Sequence, residues 1–109
     1  MRGHGEVTWE KGMPPLVNSD EVIDGLSEAA VKTIGADHVI TVKNPSLGSE
    51  DFSYLFPEFG PGAQFRLGSG NDQDPNTRHG LHNAKNVFDD GCLSAGASVL
   101  VQFTRDFLN

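Results

Sequence analysis

The sequence predicts an α/β fold: a sheet in a three-layer type of arrangement, with helices packed on it. Two observations carry this reading. Stretches rich in β-branched residues alternate with stretches whose apolar residues recur at helical spacing, in the order strand, helix, strand, short helix, strand, long helix. Glycine or proline punctuates most of the junctions. At 109 residues, with 37% hydrophobic and 21% charged residues, there is room for one modest core.

The elements follow in chain order. Residues 5–10 alternate, with Val7 and Trp9 on one side and Glu6 and Thr8 on the other, as a strand with one apolar face does. Gly12-Met13-Pro14-Pro15 ends it. Asn18 is placed to cap a helix, with Glu21 at capping-box spacing. Ile23, Leu26, Ala30 and Ile34 form its apolar stripe, and Gly35 is suited to its C-terminal turn. His38 to Lys43 reads as a strand covered on both faces, stopped by Asn44-Pro45. Ser49 is expected to cap a short helix reaching about Phe56, with Glu50 and Asp51 at its positive end and Pro57 as its stop.

Gly60-Pro61-Gly62 makes a turn, Ala63 to Gly68 a third strand, and Ser69 to Gly80 a polar loop. The last helix is expected from about Asp89 or Asp90 to Leu108, burying Leu93, Ala97, Leu100, Val101, Thr104, Phe107 and Leu108. Gly96 would let that helix approach the sheet closely, at some cost in helix propensity. No internal repeat is present.

Composition narrows the function. A net charge of −7 offers phosphates no basic patch, so neither nucleic acid nor an anionic membrane is an expected partner. No apolar run approaches the length of a membrane span, and the first five residues lack the apolar segment of a secretory signal. Cys92 is the single cysteine, which rules out an internal disulfide and fits a reducing, cytoplasmic setting.

His82 is the residue with the clearest chemical potential. It lies between a polar loop and a helix start, where a rigid neighbour can fix the direction of a neutral imidazole toward a metal. A lone histidine is as readily a surface or capping residue. His79 lies nearby, but with Arg78 and Gly80 around it the spacing is poor for a shared ion. Asp72-Gln73-Asp74-Pro75-Asn76 imitates the start of a calcium loop, yet Thr77 stands where glycine is required and Asn83 where the bidentate glutamate is required. Gly68-Ser69-Gly70 lacks the third glycine of a dinucleotide fingerprint.

Three strings occur in order: Gly48-Ser49-Glu50-Asp51-Phe52-Ser53-Tyr54, then Phe65-Arg66-Leu67-Gly68-Ser69-Gly70-Asn71, then Leu81-His82-Asn83 with Phe88-Asp89-Asp90. Together with Gly12-Met13-Pro14-Pro15-Leu16-Val17-Asn18 and the helix after it, they resemble the C-terminal part of the aminoacylase, carboxypeptidase and hippurate hydrolase family of metallopeptidases. The resemblance implies the C-terminal portion of a zinc-peptidase-like catalytic domain over 17–109. Residues 1–16 would be the last strand and exit linker of an inserted lid or dimerisation domain.

It also implies hydrolysis of N-acyl amino acid or peptide amide bonds by water activated at a divalent metal, zinc first and manganese, nickel or cobalt as alternatives, in a homodimer. His82 matches the family's ligand in its Leu-His motif, and Gly48, Ser49 and Glu50 match a turn lining the substrate cleft. The family's Cys-x-His ligands and its Glu-Glu pair, which holds the general base, have no counterpart among these residues, and Cys92 does not match the ligand cysteine. The sequence is therefore expected to be a piece of the enzyme, inactive alone, with a sheet edge and an apolar face left open. The competing expectation is a stand-alone, non-enzymatic α/β binding or interaction module. A weaker one is a small acidic metal-binding protein using His79, His82, Asp72 and Asp74.

Overall fold

A computed structural model describes residues 3–109. Met1 and Arg2, the start of the expected 1–16 segment, lie outside the described residues. The regular elements are α1 (Asp20–Ile34), a 3-10 turn at Ala36–His38, a second 3-10 turn at Asp51–Tyr54 running directly into α2 (Leu55–Phe59), a third at Pro75–Arg78, and α3 (Cys92–Leu108). No strand forms among the described residues, so the predicted α/β sheet is not the architecture: the fold is helical. A strand needs a neighbour for its N–H and C=O groups. Residues 5–10, 38–43 and 63–68 each lack one; His38 ends the first 3-10 turn and the rest run as irregular chain. Val7 and Trp9 are 73% and 91% exposed, so alternation there has no core to face.

The centre of the molecule is the pairing of α1 with α3. α1 packs against α3, and Leu26 and Ala29 of α1 with Val99 of α3 are the buried apolar residues among those described. Two glycines admit close neighbours, Gly25 between the two helices and Gly96 from outside the pair. A side chain at Gly25 would come within 3.1 Å of the Phe103 ring, and one at Gly96 within 2.7 Å of Leu67. Gly96 therefore admits Leu67 from the irregular 63–68 segment rather than a sheet. Lys32 Nζ and Asp106 Oδ2, 2.9 Å apart, link the two helices at the surface.

The buried face of α3 is not the one its periodicity suggests. Leu93, Leu100, Val101, Phe107 and Leu108 are exposed, as are Ala97 and Thr104. The helix is apolar on two faces. Packing selects the face carrying Gly96 and Val99, because a small residue there allows the closest approach to its neighbours.

The helix starts also differ from expectation. Ser19, not Asn18, precedes α1, and it makes no side-chain capping bond. Asn18 is occupied elsewhere: its Oδ1 accepts from Gln64 N at 2.8 Å and its Nδ2 donates to Gln64 O at 2.9 Å. Ser19 N adds a bond to Gly62 O at 2.9 Å. Pro57 lies inside α2 rather than ending it. It sits in the first turn, where a missing N–H leaves no intrahelical bond unmade. Gly60, at φ +100°, ends α2 in a conformation that favours glycine.

The molecule is open. Its radius of gyration is 18.7 Å, with extents of 66 × 39 × 21 Å, against about 13 Å for a compact chain of about 100 residues. Among the described residues, no helix is long and apolar enough to cross a membrane. With Phe59, Phe107 and Leu108 each at least 75% exposed, we expect the isolated chain to self-associate. Sedimentation velocity should show a coefficient rising with concentration; a concentration-independent monomer with a high melting temperature would contradict this. Gly96→Val should displace Leu67 and cost about 1–3 kcal/mol of stability, read as a lower urea midpoint. An unchanged or higher midpoint would mean that Leu67 does not rest on Gly96.

Candidate functional site

Two regions hold the residues that the sequence singles out. The first is the turn at residues 46–50. Gly48 N donates to Ser46 Oγ at 3.1 Å, closing a short local turn. Ser49 is exposed and does not cap the helix that follows. Glu50 does so, from an extended backbone at φ −141° and ψ 114°. Its Oε1 accepts from Phe52 N at 3.2 Å, while its Oε2 accepts from Gln64 Nε2 at 2.9 Å. The cap belongs to Glu50 because Asp51 is the first helical residue, and a cap must stand immediately before it.

Glu50 thus ties this turn to the residue that Asn18 holds. The Gln64 amide and then the Phe52 N–H keep its carboxyl below the ordinary glutamate value of 4.5. Gly48, Ser49 and Glu50 all line a hollow of about 950 Å³. Its apolar wall includes Leu16, Ile23, Ile40, Phe65 and Leu67, and His38 and Arg66 contribute polar groups. His82 is not among the lining residues.

The second region is the loop that carries His82. His82 is exposed and has φ +68°, the sole positive φ of a non-glycine residue among those described. Its ring makes no hydrogen bond among the described residues. After it, Asn83 closes a turn, with Oδ1 accepting from Lys85 N at 2.9 Å and O accepting from Asn86 N at 3.0 Å. Before it, Asp74 caps the 3-10 turn by accepting from Asn76 N at 2.9 Å, and Asp72 pairs with Arg78. The two aspartates of the apparent calcium loop are therefore engaged in local bonds. Cys92, half-buried, is the first residue of α3.

A hydrolytic metal takes at least three protein ligands. Among the described residues, no three His, Cys, Asp or Glu side chains converge to hold an ion. The residues present do not by themselves fit a metal, and His82 offers one imidazole.

Residues outside the predicted site set turn out to hold both regions. Asn18 and Gln64 lock the first. Asn71, Thr77 and Asp89 lock the second: Asn71 Nδ2 donates to Asp89 Oδ2 at 2.7 Å, and Thr77 Oγ1 accepts from Asn71 N at 3.0 Å. The available signal was the cluster of Asn and Asp ahead of Pro75 and again ahead of Gly91, residue types whose short side chains bond to nearby backbone.

Residues 4–106 match peptidase family M20/M25/M40, and the chain belongs to that family. It is 34% identical over 95 residues to "Probable hydrolase sll0100" of Synechocystis sp. (strain ATCC 27184 / PCC 6803 / Kazusa), an alignment covering 87% of this chain and 24% of that protein. It is also 34% identical over 100 residues to "Putative glutamate--cysteine ligase 2-3" of Rhodococcus jostii (strain RHA1), covering 92% of this chain and 12% of that protein. The chain thus spans a quarter or less of each relative. No solved structure matches it.

Glu50 gives this region a pH signature. A depressed carboxylate adds stability above its unfolded pKa and loses it as pH falls through the lower folded value. Glu50→Gln should therefore show a smaller fall in urea midpoint between about pH 5 and pH 3 than the native chain. Equal slopes would show that Glu50 is not held in the folded state.

Proposed function

We propose that this chain forms part of a metal-dependent hydrolase acting on N-acyl amino acid or peptide amide bonds, with His82 as one metal ligand. The observation that carries the reading is the family match over 4–106, which takes in His82 and the 48–50 turn. A probable hydrolase among the relatives agrees with it. The setting of His82 suits the role: the ring is exposed and free of hydrogen bonds, on a loop braced on both sides. The other ligands and the general base would come from residues outside these 109, since no ligand cluster forms among those described.

Gly48, Ser49 and Glu50 would contribute to substrate binding from the rim of the hollow. The depressed pKa of Glu50 keeps it ionised near neutrality, which suits a hydrogen-bond acceptor and not a general acid. Apolar side chains in the hollow would favour the acyl or side-chain portion of such a substrate.

The test is His82→Ala in the full gene product that carries this sequence, assayed on N-acyl amino acids and short peptides. Loss of a ligand should lower metal-dependent turnover by at least about 100-fold. Unchanged turnover at saturating metal would overturn the assignment and favour a non-enzymatic role for this region.

A further inference from the structure

The residues from Ser69 to Gly91 form a long loop whose only regular part is the 3-10 turn at Pro75–Arg78. Such a loop holds one conformation only if its ends are fastened. Asn71 is the fastening. Its Oδ1 accepts from Gln73 N at 3.0 Å and from Asp74 N at 2.8 Å, shaping the outgoing arm. Its Nδ2 donates to Asp89 Oδ2 at 2.7 Å, joining that arm to the returning one.

Other bonds reinforce the closure. Asp89 N donates to Ser69 O at 3.0 Å, and Val87 N to Asn76 O at 3.4 Å. Thr77, only 7% exposed, accepts from Asn71 N and donates to Asp74 O at 2.6 Å. Asp89 also reaches forward: its Oδ1 accepts from Gly91 N at 2.8 Å, and its O accepts from Cys92 N at 3.2 Å at the start of α3.

The arms are therefore tied to each other and to α3, and His82 sits in the excursion between Arg78 and Asn86. Its φ of +68° lies in the left-handed region, uncommon for a residue with a Cβ though more open to histidine than to most. Resting on the reading of His82 as a metal ligand, we propose that Asn71 is a positioning residue: through Asp89 it closes the His82 loop and holds the backbone that carries the imidazole. The Asn71 amide and the Gly91 N–H also keep the Asp89 carboxyl below its ordinary value, so the acceptor stays charged near neutrality. Asparagine suits the position because one side chain must accept from two backbone amides and donate to a carboxylate.

That chemistry supplies a reversal test. Asn71→Asp keeps the acceptor for Gln73 and Asp74 but sets two carboxylates against each other. The double variant Asn71→Asp with Asp89→Asn restores a donor and acceptor in swapped positions, and the amide oxygen it places at position 89 can still accept from Gly91. The first readout is NMR of the full gene product labelled at histidine: the strong intraresidue amide-to-Hα contact that a positive φ gives His82. It should weaken in Asn71→Asp and return in the double variant, with helicity unchanged in both. In the full gene product, metal-dependent turnover should fall about 10–100-fold and recover to within a few-fold.

A His82 signal and a turnover both indifferent to Asn71→Asp, or not recovered in the double variant, would overturn the proposal. If Asn71→Asp does not fold, Asn71→Ser keeps an acceptor, lacks the amide donor, and carries the same expected losses. Full activity in His82→Ala would instead remove the metal-ligand reading on which the proposal rests. The NMR result would still say whether Asn71 shapes the loop, so the two failures are told apart.

Discussion

The contact between α1 and α3 is the constraint on which the rest of the structure depends. Leu26, Ala29 and Val99 supply its buried apolar surface, and the glycines at 25 and 96 let Phe103 and Leu67 come close. The irregular segments attach to this pair. Leu67 rests on Gly96, Ser19 at the head of α1 binds Gly62, and Asp89 ties the His82 loop to the first residues of α3. The pair is small for the number of residues it organises. The dimensions of 66 × 39 × 21 Å express that imbalance, since few buried side chains must offset the ordering of a long chain.

The extended segments show how a correct local pattern can fail to become a sheet. His38 to Lys43 has the β-branched composition of a strand, and 63–68 has the apolar residues of one. A ladder requires strands about 4.8 Å apart, each satisfying the other's backbone. Here they stand around a hollow of about 950 Å³. Val39 N turns back to Ala36 O, and Gln64 is met by the side chain of Asn18. The Asn18 amide imitates a peptide group, giving one residue of 63–68 the two bonds that a neighbouring strand would have given it.

Local signals in the sequence located α1 and α3 within about two residues, because both combine helical periodicity with clear boundaries. They did not reveal which face of α3 is buried. Leu93, Leu100 and Phe107 make the more apolar stripe, yet the smaller residues Gly96 and Val99 face inward. Hydrophobicity alone does not encode closeness of approach. The caps were misplaced by one residue for a related reason: Asn18 and Ser49 are good caps in isolation, but Asn18 has a long-range partner and Glu50 stands nearer the first helical amide. The strings around His82 and Gly48 were legible as motifs. The residues that hold them were not, since the bonds from Asn18 to Gln64 and from Asn71 to Asp89 join residues far apart in sequence.

Polar side chains, rather than apolar burial, fix the two candidate regions, and this gives them a shared sensitivity. Glu50 braces the 46–50 turn, Asp89 closes the His82 loop and Asp106 links α3 to α1. All three carboxyls are held below their ordinary values, chiefly by the side chains of Gln64, Asn71 and Lys32 respectively. Each therefore contributes above its unfolded pKa and stops contributing as pH falls through its folded one. Lys32 shifts the opposite way, raised by Asp106, so its contribution is present below its unfolded pKa and is lost as pH rises through its folded value. Between those limits all the joints are charged as the structure requires. Acid weakens all three joints in the same direction, so the Glu50 cap, the closure of the His82 loop and the surface link between α3 and α1 share one pH sensitivity, while the apolar contact of α1 with α3 does not titrate.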